Sequence, residues 1–257
     1  MIPKTALQLY SVRDVIAKKD YESVVRQVAE IGYSGVETDA FPGTTPQAAG
    51  KLFKGLGMAA CSIHHFPVPG PAQKAEVLDV LGALDCKFIV SGGGPDNFKT
   101  VDAIKRIADQ FNQAAAMFAA HGVRFGVHNH WWEYLKINDQ GKERYAYEVL
   151  LDLAAPEVTF QLDTYWIKTA GVDPAAITTL MGKRSPLLHI KDGPAVKNQP
   201  QTAVGDGKLD FQAIAKAGAG ITEWMIVELD ACATDMVEAV RKSYQYLTSK
   251  GLASGRK

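Results

Sequence analysis

The chain has 257 residues, 47% of them hydrophobic and 22% charged, with 28 basic side chains against 28 acidic ones. That length suits one large α/β domain, and a net charge of zero argues against a nucleic-acid or anionic-membrane partner, both of which ask for a basic face. No apolar run reaches membrane-spanning length, so a cytoplasmic protein is expected.

Apolar runs of strand length alternate eight times with longer segments of helical period. Ala6 to Tyr10 opens as a strand, and Tyr21 to Ile31 follows as a helix with Val24, Val25, Val28 and Ile31 on one stripe, stopped by Gly32. Ser34 to Glu37, Met58 to Ile63 and Lys87 to Val90 are the next strands, separated by helices at Thr45 to Leu56 and Pro71 to Leu84. A long helix from Thr100 to Ala120 leads to the fifth strand, Val123 to His130, which runs into Trp131-Trp132-Glu133-Tyr134. After a polar excursion, Lys136 to Arg144, come a helix at Tyr145 to Leu153, the sixth strand at Val158 to Leu162, and a short helix at Pro174 to Leu180 capped by Asp173. Pro186 to Ile190 is the seventh strand and Asp192 to Lys208 a loop rich in Gly, Pro, Gln and Asn. A helix at Phe211 to Ala217, the eighth strand at Trp224 to Leu229 and a helix at Asp235 to Thr248 close a catalytic domain of residues 1–250, with 251–257 read as a disordered tail.

Such alternation implies a parallel sheet with helices outside, and eight rounds fit a single closed (β/α)8 TIM barrel. A doubly wound open sheet would carry a Gly-rich phosphate turn after its first strand, and none follows Leu9. Gly92-Gly93-Gly94 lacks the spacing of a dinucleotide turn. Cys61, Cys86 and Cys232 are odd in number and widely spaced, which suggests neither a disulfide framework nor a thiolate metal cage.

The chemistry collects where strands end. Asp163, His189 and Glu228 each follow an apolar run, on strands six, seven and eight. A charged group in that position is costly unless paired. Singly, Asp163 reads equally well as a helix cap, His189 as a satisfied core histidine and Glu228 as the partner of a lysine. Together, on consecutive strands at matching depth, they read as ligands of a divalent metal ion. On the fifth strand both His128 and Glu133 are open as a fourth ligand, since spacing does not choose between them. A third carboxylate offsets a divalent charge better, which favours Glu133 and leaves the histidines free for substrate hydroxyls.

The segments Leu7 to Asp14, Gly35-Val36-Glu37, His128-Asn129-His130 with Glu133-Tyr134, Gln161 to Trp166, His189-Ile190-Lys191-Asp192 and Val204-Gly205-Asp206-Gly207 resemble the xylose-isomerase-like family of sugar isomerases and epimerases. That family holds tagatose 3-epimerase, hydroxypyruvate isomerase, inosose dehydratase and, more distantly, endonuclease IV. The resemblance spans nearly the whole chain and implies one divalent ion held by Glu, Asp, His and Glu from strands five to eight. Three of these carry over onto Asp163, His189 and Glu228. Strand five departs from the pattern: His128 stands where epimerases place the ligand glutamate, and the nearest glutamate is Glu133. The departure leans towards relatives that act on cyclic keto-sugars or inososes.

The expected function is a divalent-metal-dependent isomerase, epimerase or dehydratase of a sugar, keto-sugar or keto-cyclitol, working through a metal-stabilised enediolate with Mn, Mg, Co, Fe or Zn. Glu133 and Glu228 are the expected acid/base pair, with His130 as a third candidate. Glu37, His64, His128, His130, Lys191 and Trp166 are the expected substrate-binding residues. Lys191 lies two residues past His189 and so on the same side of its strand. The competing readings are an endonuclease IV-like phosphodiesterase, which would need a richer ligand cluster and a basic rim, and a non-catalytic sugar-binding barrel. A homo-oligomer is compatible with all three.

Overall fold

Each apolar run pairs in parallel with its neighbours because an amphipathic segment long enough to cross over as a helix separates it from the next. The computed structural model describes residues 2–256. Its strands are β1 (Lys4–Gln8), β2 (Gly35–Thr38), β3 (Ala59–His64), β4 (Phe88–Ser91), β5 (Arg124–His128), β6 (Lys136–Asp139), β7 (Lys142–Tyr145), β8 (Thr159–Asp163), β9 (Leu187–Ile190) and β10 (Trp224–Val227). Eight of them close a parallel barrel in the order β1-β2-β3-β4-β5-β8-β9-β10, with helices flanking it: a (β/α)8 barrel. Helix starts follow local chemistry. Asp20, Thr45, Thr100, Asp173, Asp210 and Asp235 each accept a backbone N–H of the first turn that would otherwise lack a partner.

The strand period of two sorts the side chains. Phe125, Val127, Phe160, Leu162, Leu188, Ile190, Met225 and Val227 face the helices, in the larger apolar cluster. Alternate residues point into the barrel, where Ala6, Cys61, Phe88, Val90, Leu187 and Ile226 form a second apolar cluster. On the same strands, Gln8, Glu37, Ser62, Gln161 and His189 make a buried polar layer towards the carboxyl ends.

Several local expectations change. Leu9 to Val12 is a 3-10 turn instead of the end of a strand, because the Gln8 side chain accepts the N–H of Tyr10. Helices at Arg13–Lys18 and Thr164–Thr169 are additional, the second capped by Asp163. The polar excursion is the β6–β7 hairpin, turned at Gln140 and Gly141 with positive φ of 52° and 86°. Residues 251–256 are not a disordered tail. Ser254 O accepts the Thr5 N–H at 2.9 Å, Ser254 N donates to Pro3 O at 2.8 Å, and Arg256 N donates to Gly32 O at 2.8 Å, so backbone bonds to the start of β1 and to the end of a helix hold the segment. Lys257, also within that expected tail, lies outside the described residues.

Candidate active site

The site is built on Glu37, at the floor of the mouth. Its Oε1 accepts from Gln8 Nε2 at 2.8 Å and lies 2.6 Å from His189 Nε2 and 3.2 Å from His64 Nε2. Oε2 accepts from Gln161 Nε2 at 2.5 Å and from the Ser62 hydroxyl. Burial opposes the charge of Glu37, but His64 and His189 outweigh it and hold the carboxyl well below its ordinary range. Glu37 was expected to meet a substrate hydroxyl. It is instead fully buried with both oxygens taken by protein donors, and His189 is one of the groups it contacts.

That contact fixes the orientation of the His189 ring. With Nε2 of His189 turned to Glu37, Nδ1 faces Glu228 Oε2 at 2.7 Å, out of line for a hydrogen bond. Asp163 uses Oδ1 to cap its helix, accepting the Trp166 N–H at 2.9 Å, and its buried Oδ2 has no hydrogen-bond partner among the described residues. One atom from each of Asp163, His189 and Glu228 lies within 4.8 Å of the others, all three residues buried. Burial opposes charging His189, but Glu37 and Glu228 outweigh it and lift its pKa to about 10, so the pocket favours positive charge at Nδ1, carried by a proton or by a metal. Unpartnered carboxylate oxygen and imidazole nitrogen, with a carboxylate behind the imidazole, fit a divalent ion of the Mg, Mn, Fe, Co or Zn kind.

A cation of the chain's own lies alongside. Lys191 Nζ donates to Asp230 Oδ2 at 2.9 Å and sits 2.7 Å from Glu228 Oε2 and 3.0 Å from Asp163 Oδ2. Burial disfavours its charge, but Asp163, Glu228 and Asp230 outweigh it and hold the pKa well above the ordinary lysine value.

A cavity of about 260 Å³ opens above these groups. His64, His128, His130, Lys191, Glu228 and Asp230 are among the residues that line it. His128 Nδ1 is 2.9 Å from Gln161 Oε1, and His64 Nε2 is 2.7 Å from the same oxygen. The His130 ring stacks on Trp132 with centroids 4.2 Å apart, and its buried Nδ1 has no partner. Burial, then the neighbouring Lys191, lowers its pKa to about 4. Trp166 packs beside these groups, its ring 5.6 Å from Lys191 Nζ and 6.4 Å from the His130 ring.

The long loop is pinned by Asp192, whose carboxylate accepts the backbone N–H of Gly193, Gly205, Gly207 and Leu209 at 2.8–3.2 Å. Glycine is required at 207, where a Cβ would stand 2.0 Å from Asp192 Oδ1. The loop seats Gln201, which accepts from Asp230 N at 2.7 Å and donates to Asp230 Oδ2 at 2.9 Å.

Residues 25–250 match the xylose isomerase-like TIM barrel family. The chain belongs to that family. Among solved structures, a sugar phosphate isomerase/epimerase from Parabacteroides distasonis ATCC 8503 is 23% identical over 99% of this chain and 96% of that one, with a TM-score of 0.83. A probable 3-DHS dehydratase of petrobactin synthesis from Bacillus anthracis is 13% identical over 95% and 98% of the two chains, with a TM-score of 0.76. An L-ribulose 3-epimerase is 15% identical over 98% and 95%, with a TM-score of 0.72. At these identities the likeness is one of fold. A comparison with curated protein sequences finds no match.

In this xylose isomerase-like barrel, strand five brings His128 to the mouth and leaves Glu133 behind. His128 groups with His64 and His189, whereas Glu133 is in neither group of clustered ligand atoms among the described residues. It sits on a 3-10 turn, Trp132–Tyr134, only 1% exposed, and its Oε2 accepts the His130 N–H at 2.9 Å. The turn thus directs one carboxylate oxygen back onto its own loop, while the buried Oε1 has no hydrogen-bond partner among the described residues. Asp230, Asp39, Tyr10 and Phe66 line the cavity and were not singled out from sequence. Asp230 carried a usable signal, since it follows Glu228 by two residues.

Burial lifts the Glu133 pKa from 4.5 to about 8. The folded chain therefore binds this proton more tightly than the unfolded chain does. Stability is unaffected by it below pH 4.5, falls as pH rises from there to 8, and stays reduced above. Glu133→Gln, a neutral analogue of the protonated acid, should stabilise the protein at pH 9 by on the order of 3 kcal/mol and change little at pH 4.5. Urea midpoints at the two pH values check this, and equal shifts at both would contradict it.

Proposed function

We propose that the protein is a divalent-metal-dependent isomerase or epimerase of a small polyol ketone, a sugar or keto-cyclitol. The observation that carries the reading is the buried group of Asp163, His189 and Glu228, in which Asp163 Oδ2 and His189 Nδ1 make no hydrogen bond among the described residues, with Glu228 also lining the cavity. These three residues would hold the ion. When bound, it would draw electron density from a substrate carbonyl and so acidify the neighbouring C–H.

The side chains supply the rest. Glu228, held ionised by Lys191 and His189 against its burial, is the base in the cavity wall. His130, neutral above pH 4 and with Nδ1 unpartnered, is the second proton carrier, in the place expected for Glu133. Lys191 presents an ammonium to negative charge developing on substrate oxygen. His64 and His128 face the cavity as hydroxyl partners. The Glu228 carboxylic acid formed by proton abstraction returns the proton to the next carbon, which gives isomerisation, or to a β-hydroxyl that leaves as water, which gives dehydration. Epimerisation needs His130 to take up a proton from solvent and deliver it to the other face.

The test is metal-dependent exchange of a C–H proton of D-fructose or D-psicose with deuterated water, followed by NMR. Exchange should appear with added Mn2+, vanish with chelator, and drop at least 100-fold in Glu228→Gln. Exchange that survives chelation would defeat the reading.

A further inference from the structure

We propose that Lys191 is a tethered counter-cation that competes with the divalent ion for Asp163 and Glu228, holding the ion's affinity down, and that it withdraws onto Asp230 when the ion binds. The inference rests on the metal reading above and adds a residue that sets how tightly the ion is held.

Lys191 Nζ touches two of the three proposed ligands, at 2.7 Å from Glu228 Oε2 and 3.0 Å from Asp163 Oδ2. The oxygens that would face the ion therefore already face a positive charge. Two cations drawing on one pair of carboxylates repel each other, most strongly where water is excluded. The side chain is 1% exposed, so its charge is accommodated almost entirely by protein groups. Only one of its three carboxylate contacts has hydrogen-bond geometry, the 2.9 Å bond to Asp230 Oδ2. Asp230 is itself fixed by Gln201 through both its N–H and its carboxylate, and by Arg13, which donates to its carbonyl at 2.9 Å. With three carboxylates in reach, of which Asp230 is outside the proposed ligand set, Lys191 can yield Asp163 and the closer Glu228 to an ion without leaving the site.

Two substitutions of opposite sign follow. Lys191→Met removes the competitor, and Asp230→Asn removes the charge onto which the ammonium retires. The experiment is isothermal titration of Mn2+ into chelator-stripped full-length protein, with the folded state checked by circular dichroism. Lys191→Met should lower Kd at least tenfold, and Asp230→Asn should raise it at least tenfold. In the Lys191→Met background, adding Asp230→Asn should have a much smaller effect, a coupling that two independent structural roles would not produce. Binding by Lys191→Met equal to or weaker than wild type overturns the proposal. If that variant fails to fold, Asp230→Asn decides alone, and an unchanged or lower Kd overturns it. Asp163→Asn separates the two levels of argument. Wild-type binding that is lost in Asp163→Asn but unmoved by Lys191 or Asp230 defeats only this inference, whereas no Mn2+ binding by wild type and Lys191→Met alike defeats the metal reading with it.

Discussion

Glu37→Gln should leave the barrel folded yet weaken divalent-ion binding by about 10–100-fold, the usual effect of losing a carboxylate behind a ligating histidine. The carboxylate meets His189 and Gln8 at one oxygen and Ser62 and Gln161 at the other, donors on both sides. An amide offers one acceptor and one donor. If its NH2 faces His189, Nε2 must become the acceptor and the ring proton moves to Nδ1, where the ion needs a lone pair. If the NH2 faces Ser62 and Gln161, it opposes the Gln161 amide donor and disturbs the side chain that also meets His64 and His128. Glu37→Ala goes further, leaving several buried donors without an acceptor, and should cost about 3–5 kcal/mol in urea denaturation. Titration with Mn2+ checks the first variant. Wild-type affinity there would show that Glu37 serves the fold alone.

The residues that carry this argument differ in how readable they were. Asp163, His189, Lys191 and Glu228 stand at strand ends, and the period of two places His189 and Lys191 on one face with no knowledge of the fold. Their convergence needs the register, in which Asp163 pairs with His189 across β8 and β9 and Ile226 pairs with His189 across β10 and β9. No local pattern contains that information. Glu37 shows the same limit from another side. Its position at the end of β2 was plain, but its depth depends on a register shift between Val36 and Glu37 against β3, and on donors from β1, β3, β8 and β9. Glu133 failed for a different reason. Charge balance favours it over His128, but a residue five positions past a strand end is aimed by its turn, and the turn here commits one carboxylate oxygen to the N–H of His130. The composition of 251–256 is that of a free end, while what holds the segment is backbone bonding to Pro3, Thr5 and Gly32, to which composition is blind.

Asp163→Asn should abolish divalent-ion binding over the accessible range, at least a 100-fold loss, and reduce proton exchange on a ketose by at least 1000-fold, about 4 kcal/mol in the barrier, while the fold persists. The two oxygens of this carboxylate have separate duties. Oδ1 accepts the Trp166 N–H and starts the helix Thr164–Thr169, and an asparagine oxygen accepts that bond equally well. Oδ2 has no hydrogen bond and faces Lys191 at 3.0 Å beside His189 and Glu228. In asparagine that position carries an amide NH2, a donor turned towards an ammonium and towards the place of a metal, so the charge and the lone pair are lost together. Asp163→Ala removes the cap as well and should add about 1 kcal/mol of destabilisation that the asparagine variant does not show. Comparing the two variants by Mn2+ titration and by urea midpoint separates the ligand from the cap. If Asp163→Asn bound Mn2+ as wild type does, Asp163 would be a helix cap that happens to lie near the mouth, and the cation of this site would be Lys191 alone.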